Sequence, residues 1–226
     1  MQGFPLTEDL EKVILKLQHQ IEEHESPRHD LILFENADKL KNVNFLQHLF
    51  ESIAERTVLK IFYRFFNSKK SIEKIIHPYF LKQYNNRWFL FGYDEINNRL
   101  DNSPIDRIES FKPINREFRE NIQFFPKEYF KDMIGVTRNV DSKAEKIIFS
   151  VSKNRVDYII TKPVHTSQTE IKKYKNGWTD FFIEVIINKE LFGLFLSFGH
   201  DIVVKSPKKF KEEFKQLLQK TFENYK

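Results

Sequence analysis

At 226 residues, with 40% apolar and 15% aromatic side chains, the chain has enough material for one or two packed domains and is not a disordered polymer. It holds no cysteine, which excludes disulfides, thiolate catalysis and cysteine-ligated metals together. No apolar run approaches the ~20 residues that cross a bilayer and the N-terminus lacks a signal-peptide core, so a cytoplasmic protein off the membrane is expected. The net charge is +5, and the 12 basic and 7 acidic residues between Thr57 and Arg119 account for all of it, because the remaining 25 basic residues meet 25 acidic ones. A basic segment suits an anionic partner such as nucleic acid, although Lys/Asn/Ile/Phe-rich codon usage produces the same drift.

Thr7–Glu25 reads as an amphipathic helix capped by Thr7, with Leu10, Val13, Ile14, Leu17 and Ile21 at helical spacing. An extended piece, Asp30–Phe34, leads to a second helix around Val43–Arg56 with Phe45, Leu46, Leu49, Phe50 and Ile53 on its buried side. His19, His24 and His29 recur every five residues, which spreads them around a helix and argues against a metal site. Residues 1–56 are thus a helical lead-in.

Val58–Phe65 alternates as a strand. Ile75–Tyr84 and Arg87–Tyr93 then form a hairpin about Asn85 and Asn86, because Asn tolerates the left-handed backbone of a two-residue turn. In the second arm Trp88, Leu90 and Gly92 share one face and Arg87, Phe89, Phe91 and Tyr93 the other. Asn97 and Asn98 turn the chain again, and Ser103–Phe111 reads as a closing strand. These short antiparallel strands predict a small SH3-like or Sm-like barrel. Pro126–Met133 reads as a short helix with Pro126 in its first turn, which places this domain at 57–135 before a polar boundary at Gly135–Ser142.

The last third, 143–226, reads β-α-β-β-α-β plus a helix, a ferredoxin-like unit in an α+β chain. Its elements are a strand at Lys146–Val151, a helix at Lys153–Ile160, and a hairpin of Thr166–Tyr174 with Trp178–Ile187 about Asn176 and Gly177. A helix capped by Asn188 and stopped at Gly199 follows, then a strand at Asp201–Lys205 and a helix from Pro207 to Tyr225.

The hairpin resembles the WYL domain of bacterial transcription regulators, with Trp88-Phe89-Leu90 in place of Trp-Tyr-Leu. Three further marks fall in the family's order: Ile61 and Tyr63, the run His77, Pro78 and Tyr79, and the exit Asp106, Arg107 and Ile108. The last third, with its Thr-Lys-Pro-Val-His-Thr-Ser-Gln run at 161–168, is similar to the WCX-type extension that accompanies WYL domains. The resemblance implies a small effector-binding barrel followed by that C-terminal extension. Such regulators usually begin with a winged helix-turn-helix. No such module is read ahead of the barrel in these 226 residues, so operator DNA is an expected partner only where one is joined to this chain.

Two readings stand beside each candidate residue. Trp88, Phe89, Tyr63 and Tyr79 are either a base-stacking platform or the barrel's core, with Trp88 favouring the core and Phe89 or Tyr93 the better placed for exposure. Arg87, Arg99, Arg107 and Lys82 either clamp phosphates, or Arg107 pairs with Asp106 or Asp101 while Lys82 is solvated. His77 either donates to a ligand or is structural, and His165, Ser167 and Gln168 read as loop hydrogen bonding. With no Gly-rich phosphate loop, nucleophile elbow or His-Glu-x-x-His, the chain is not expected to be an enzyme or to hold a cofactor or metal. The expected function is the effector-sensing and dimerising part of a regulator, a homodimer whose barrel binds single-stranded nucleic acid or a nucleotide. The alternatives are a small-molecule sensor and a dimerisation module without a ligand.

Overall fold

A computed structural model describes Asn42, residues 44–139 and residues 141–226. The helix read at Thr7–Glu25, the extended piece at Asp30–Phe34 and the three histidines within 19–29 lie outside the described residues.

The first unit joins helix α1 (Phe45–Ala54) to strands β1 (Leu59–Tyr63), β2 (Ile72–Tyr84), β3 (Arg87–Asp94), β4 (Arg99–Pro104) and β5 (Ile108–Pro113). The strands form one antiparallel sheet in the order β4-β3-β2-β1-β5. The β2–β3 turn is the two-asparagine one read from the sequence, with Asn85 at φ 48° and Asn86 at φ 57°. At the next turn Asn98 has φ 51°, and the fully buried Asp94 caps it by accepting from the Ile96 amide at 3.0 Å and the Asn97 side chain at 2.7 Å.

The expected barrel does not close. β4 and β5 are the two edges of an open sheet and do not pair with each other. The single closing strand expected over Ser103–Phe111 is broken by a 3-10 turn, Ile105–Arg107, that carries the chain from one edge of the sheet to the other. Such a crossing cannot be made by one extended strand. On α1, Leu49 is fully buried and Phe45, Leu46 and Ile53 pack on the same core. Phe50, expected inside, is 64% exposed, because only one stripe of the helix meets the sheet.

Both faces of β3 are covered. Trp88 and Leu90 join the core with Leu59, Ile61 and Ile76, whereas Phe89 and Phe91 pack with Val136, Tyr129 and Phe130. The covering layer on the second side is helix α2 (Pro126–Phe130) and the chain after it. Gly92 faces Pro78 across the ladder, and a Cβ there would sit 2.5 Å from the His77 carbonyl oxygen. A close backbone approach therefore requires glycine here.

The second unit runs β6 (Glu145–Val151), α3 (Val156–Thr161), β7 (Thr169–Lys173), β8 (Thr179–Val185), α4 (Lys189–Leu196), β9 (Ile202–Ser206) and α5 (Lys208–Glu223). Its antiparallel sheet has the order β7-β8-β6-β9. Four phenylalanines, Phe149, Phe181, Phe195 and Phe210, are at most 2% exposed and centre its core, each contributing about 1.5–3 kcal/mol of burial. Asn188 caps α4 as expected, its Oδ1 accepting from the Leu191 amide at 2.9 Å. The α4 stop expected at Gly199 comes earlier, at Leu196, and Gly199 instead opens a 3-10 turn at φ 57°.

Candidate functional site

A cleft of about 830 Å³ opens on the α2 side of the first sheet. Its floor is Phe89 and Phe91 of β3, one flank is the 3-10 corner with Arg107, and the far wall is Tyr129, Val136–Arg138 and the start of α4 at Lys189 and Glu190.

Arg107 is fixed by its backbone. Ile105 and Ile108 on either side are at most 2% exposed, and the Arg107 carbonyl accepts from the Arg64 amide at 3.0 Å. Asn42 secures the same corner by donating to the Ile108 carbonyl at 2.6 Å. The Arg107 guanidinium lies 3.8 Å from the centre of the Phe66 ring, and its Nη1 donates to the Tyr63 hydroxyl at 3.5 Å. Neither expected carboxylate pairs with it. Asp106 stands 3.4 Å from Arg87 Nε, and Asp101 accepts from Lys74 at 2.8 Å. Arg107 Nε is buried with no hydrogen-bond partner among the described residues. Arg107 thus sits on the 3-10 corner, not on a closing strand, and the bond from Nη1 to Tyr63 leaves other guanidinium donors unused among the described residues.

Beneath it lies a buried polar network. Lys74, 6% exposed, donates to Asp101 at 2.8 Å and to Ser103 at 3.0 Å, and its ammonium sits 4.2 Å from the Tyr63 ring centre. Burial pushes the Tyr63 phenol pKa up, against the pull of the Arg107 hydrogen bond, so the hydroxyl remains neutral at pH 7. At the far wall Glu190 accepts from the Thr137 hydroxyl at 2.6 Å, while its second oxygen, Oε2, is buried without a partner among the described residues. Burial, then Glu190, raises the pKa of Tyr84. Arg138 is tied up structurally, donating to the Tyr129 carbonyl at 2.7 Å and to Asp132 at 2.6 Å.

Of the ten residues singled out in the sequence, Tyr63, Arg87, Phe89, Arg99 and Arg107 line this cleft. Tyr79 and Tyr93 line a neighbouring cavity of about 100 Å³, which Arg99 also reaches. His77 is 4% exposed and its Nδ1 accepts from the Arg119 amide at 2.9 Å, so it acts as a structural acceptor. Lys82 faces a third cavity, and Trp88 packs into the first core. Phe89 and Tyr93, read as the better exposed pair, are each only 8% exposed. The layer after α2 covers Phe89, and the Arg119 guanidinium lies 3.8 Å over the Tyr93 ring. His165 and Gln168 hold their own loop: His165 Nδ1 meets the Ser167 hydroxyl at 2.7 Å, and Gln168 accepts from the Val164 amide at 3.0 Å.

Sequence reasoning missed the wall formed by Tyr129, Lys189 and Glu190, because nothing local links positions so far apart. Lys74 did leave a signal. It falls in phase with Ile76 and Pro78, so strand alternation places a lysine on an inward position.

Residues 44–113 match the family model described as the WYL domain, and residues 143–222 match that of the WCX domain. No curated protein matches the chain. Among solved structures, the proteasome accessory factor B/C (PafBC) of Arthrobacter aurescens is similar at 15% identity with a TM-score of 0.34, covering 76% of this chain and 26% of that one. A CRISPR Cas-related protein is similar at 15% identity with a TM-score of 0.44, covering 81% of this chain and 52% of that one. The chain therefore spans about a quarter of the first structure and about half of the second.

Proposed function

For a chain that carries a WYL domain followed by a WCX domain, we propose that the molecule is the effector-sensing and dimerising part of a bacterial transcriptional regulator, without catalysis of its own. We assign the sensing domain, built on the open five-stranded sheet, to 57–135 and a ferredoxin-like extension to 143–226, the latter on its β7-β8-β6-β9 order. One observation carries the reading: Arg107 is held rigidly at the rim of a cleft of about 830 Å³ with no carboxylate partner among the described residues. Arg87 and Arg99 flank it, and an Arg fork of this kind suits a phosphate. Phe65, 47% exposed at the same rim, offers a face on which a base can stack, worth about 1–3 kcal/mol. The effector is thus a single-stranded nucleic acid or a nucleotide. Because Glu190 lies across the cleft from β3, a bound effector touches both units and biases their relative position. In a longer regulator that bias would reach DNA-reading heads.

The test is fluorescence anisotropy of a labelled strand of about 12 nucleotides at about 50 and 200 mM salt. Saturable binding that weakens with salt, and at least tenfold more with Arg107→Ala, supports the reading. A small anionic metabolite is the second reading, favoured by the unpartnered Glu190 oxygen, which repels a polyanion and accepts from a ligand donor. Absence of strand binding at both salts selects that reading or a ligand-free dimerisation module, and a thermal-shift screen of small organic anions separates those two.

A further inference from the structure

A second large cavity, of about 550 Å³, lies between the end of β2, the chain after α2, and the segments flanking α3 and α4. Its apolar lining comes from Phe130, Met133, Ile134, Val164, Leu194 and Phe198. Three cations line it: Lys82, and Arg155 and Lys162 at the two ends of α3. No carboxylate lines it, in contrast to the main cleft with its Asp101 and Glu190. Lys82 has no hydrogen-bond or ion-pair partner among the described residues, and its ammonium rests 4.2 Å from the centre of the Phe130 ring. Burial lowers its pKa, which a bound anion would reverse. Arg155 Nε meets Asp201 Oδ2 at 3.6 Å, the other oxygen of that carboxylate accepting from the Ser152 hydroxyl, and the rest of the guanidinium faces the cavity. Tyr158 sits between Arg155 and Lys162, each 5.8 Å from its ring centre.

We propose that this cavity is a separate binding site for an amphipathic organic anion: one carboxylate or phosphate head between Lys82, Arg155 and Lys162, with an apolar body against Phe130, Val164 and Leu194. The volume is in the range of ordinary small-molecule sites of about 300–1,000 Å³, and its mixed lining of apolar side chains and three cations suits a ligand of both characters. Lys82 is partly desolvated beside an apolar surface with no carboxylate partner among the described residues, and an anion with an apolar body relieves both that desolvation and the exposed apolar area. The site goes beyond the effector cleft, with which it shares Tyr84 alone. Because its walls come from both units, occupancy would hold them in one relative position.

The test uses the full chain and the fluorescent aryl sulfonate 8-anilinonaphthalene-1-sulfonate. We expect one saturable site, displaced by dodecanoate or dodecyl phosphate below their micelle concentrations, and the stronger competitor identifies the head group. Lys82→Gln with Lys162→Gln should weaken probe binding at least tenfold, Ser197→Trp at the lining should abolish it, and Arg107→Ala should change it less than twofold. Displacement by uncharged dodecanol as effective as by dodecanoate would overturn the proposal, as would unchanged binding in the Lys82→Gln, Lys162→Gln chain. A twelve-nucleotide strand that competes as well as dodecanoate would also overturn it, by merging the cavity with the effector cleft.

Discussion

Removing the Asp101 carboxylate leaves the Lys74 ammonium desolvated, with side chains at present 7% and 12% exposed for Lys74 and Asp101. Breaking one half of a buried pair costs about 3–5 kcal/mol. Lys74 retains the Ser103 hydroxyl at 3.0 Å and the Tyr63 ring at 4.2 Å, so the low end, about 3 kcal/mol, is expected for Asp101→Leu. At about 2–4 °C per kcal/mol for a chain of this size, the melting temperature falls by roughly 6–12 °C. Lys74→Met strands the carboxylate with only the Ser103 hydroxyl, at 2.6 Å, and should cost about 2–3 kcal/mol. The double variant replaces the pair by apolar side chains of similar volume and should return to within about 1 kcal/mol of the parent. Urea unfolding in a Trp178→Phe background reads this directly, because Trp88 then reports on the first core alone. Additive single effects, or an Asp101→Leu cost below about 1 kcal/mol, would refute a desolvated pair under the cleft.

Gly92→Ala drives a Cβ to 2.5 Å from the His77 carbonyl and 2.6 Å from the Ile76 side chain, and should destabilise the first unit by about 1–3 kcal/mol in the same assay. Asn188→Ala removes the α4 cap and leaves the Ile134 and Thr137 carbonyls, now held at 2.8 and 2.9 Å, without their donor; a loss of about 2–4 kcal/mol and faster proteolysis between 133 and 139 are expected. Burial lowers the pKa of both His77 and His165 below the ordinary 6.5, with Glu95 opposing the shift at His77 and the Lys131 backbone, then Asp132, at His165. The unfolded chain then binds more protons just below pH 6.5, so stability should fall as pH drops through that window, by up to about 1.4 kcal/mol per pH unit for each histidine. His165→Gln should flatten the slope of urea midpoints between about pH 7.5 and 5.5, and a midpoint that rises on acidification contradicts the sign.

What was legible in the sequence followed from local chemistry. Asn85, Asn86 and Gly177 announce their turns because few other residues tolerate positive φ, and Asn188 announces α4 because its side chain replaces a missing backbone acceptor. The two faces of β3 follow from period-two alternation alone. The open sheet was not legible, since closure depends on whether β4 and β5 meet, and a 3-10 turn of three residues decides that. Exposure failed at Phe89 for a related reason: the residues that cover it, Tyr129 and Val136, lie some forty positions downstream. The cleft's far wall needed both units in place.

The charge excess between Thr57 and Arg119 gains meaning once its partners are known. Five of its seven acidic residues are taken by neighbours in the same segment: Glu73 by Lys60, Glu109 by Arg64, Asp101 by Lys74, Asp106 by Arg87 and Glu95 by Arg116. Most of those pairs are half exposed and worth at most about 1 kcal/mol, so their effect is to cancel charge more than to stabilise. The cations of the segment with no carboxylate partner among the described residues include Arg99, Arg107 and Lys82, and these line cavities. Codon drift would scatter its surplus lysines over the solvated surface, as at Lys69, Lys70 and Lys112. It would not leave an arginine whose buried Nε has no partner among the described residues at the lip of the cleft of about 830 Å³, where desolvation without a partner is unfavourable.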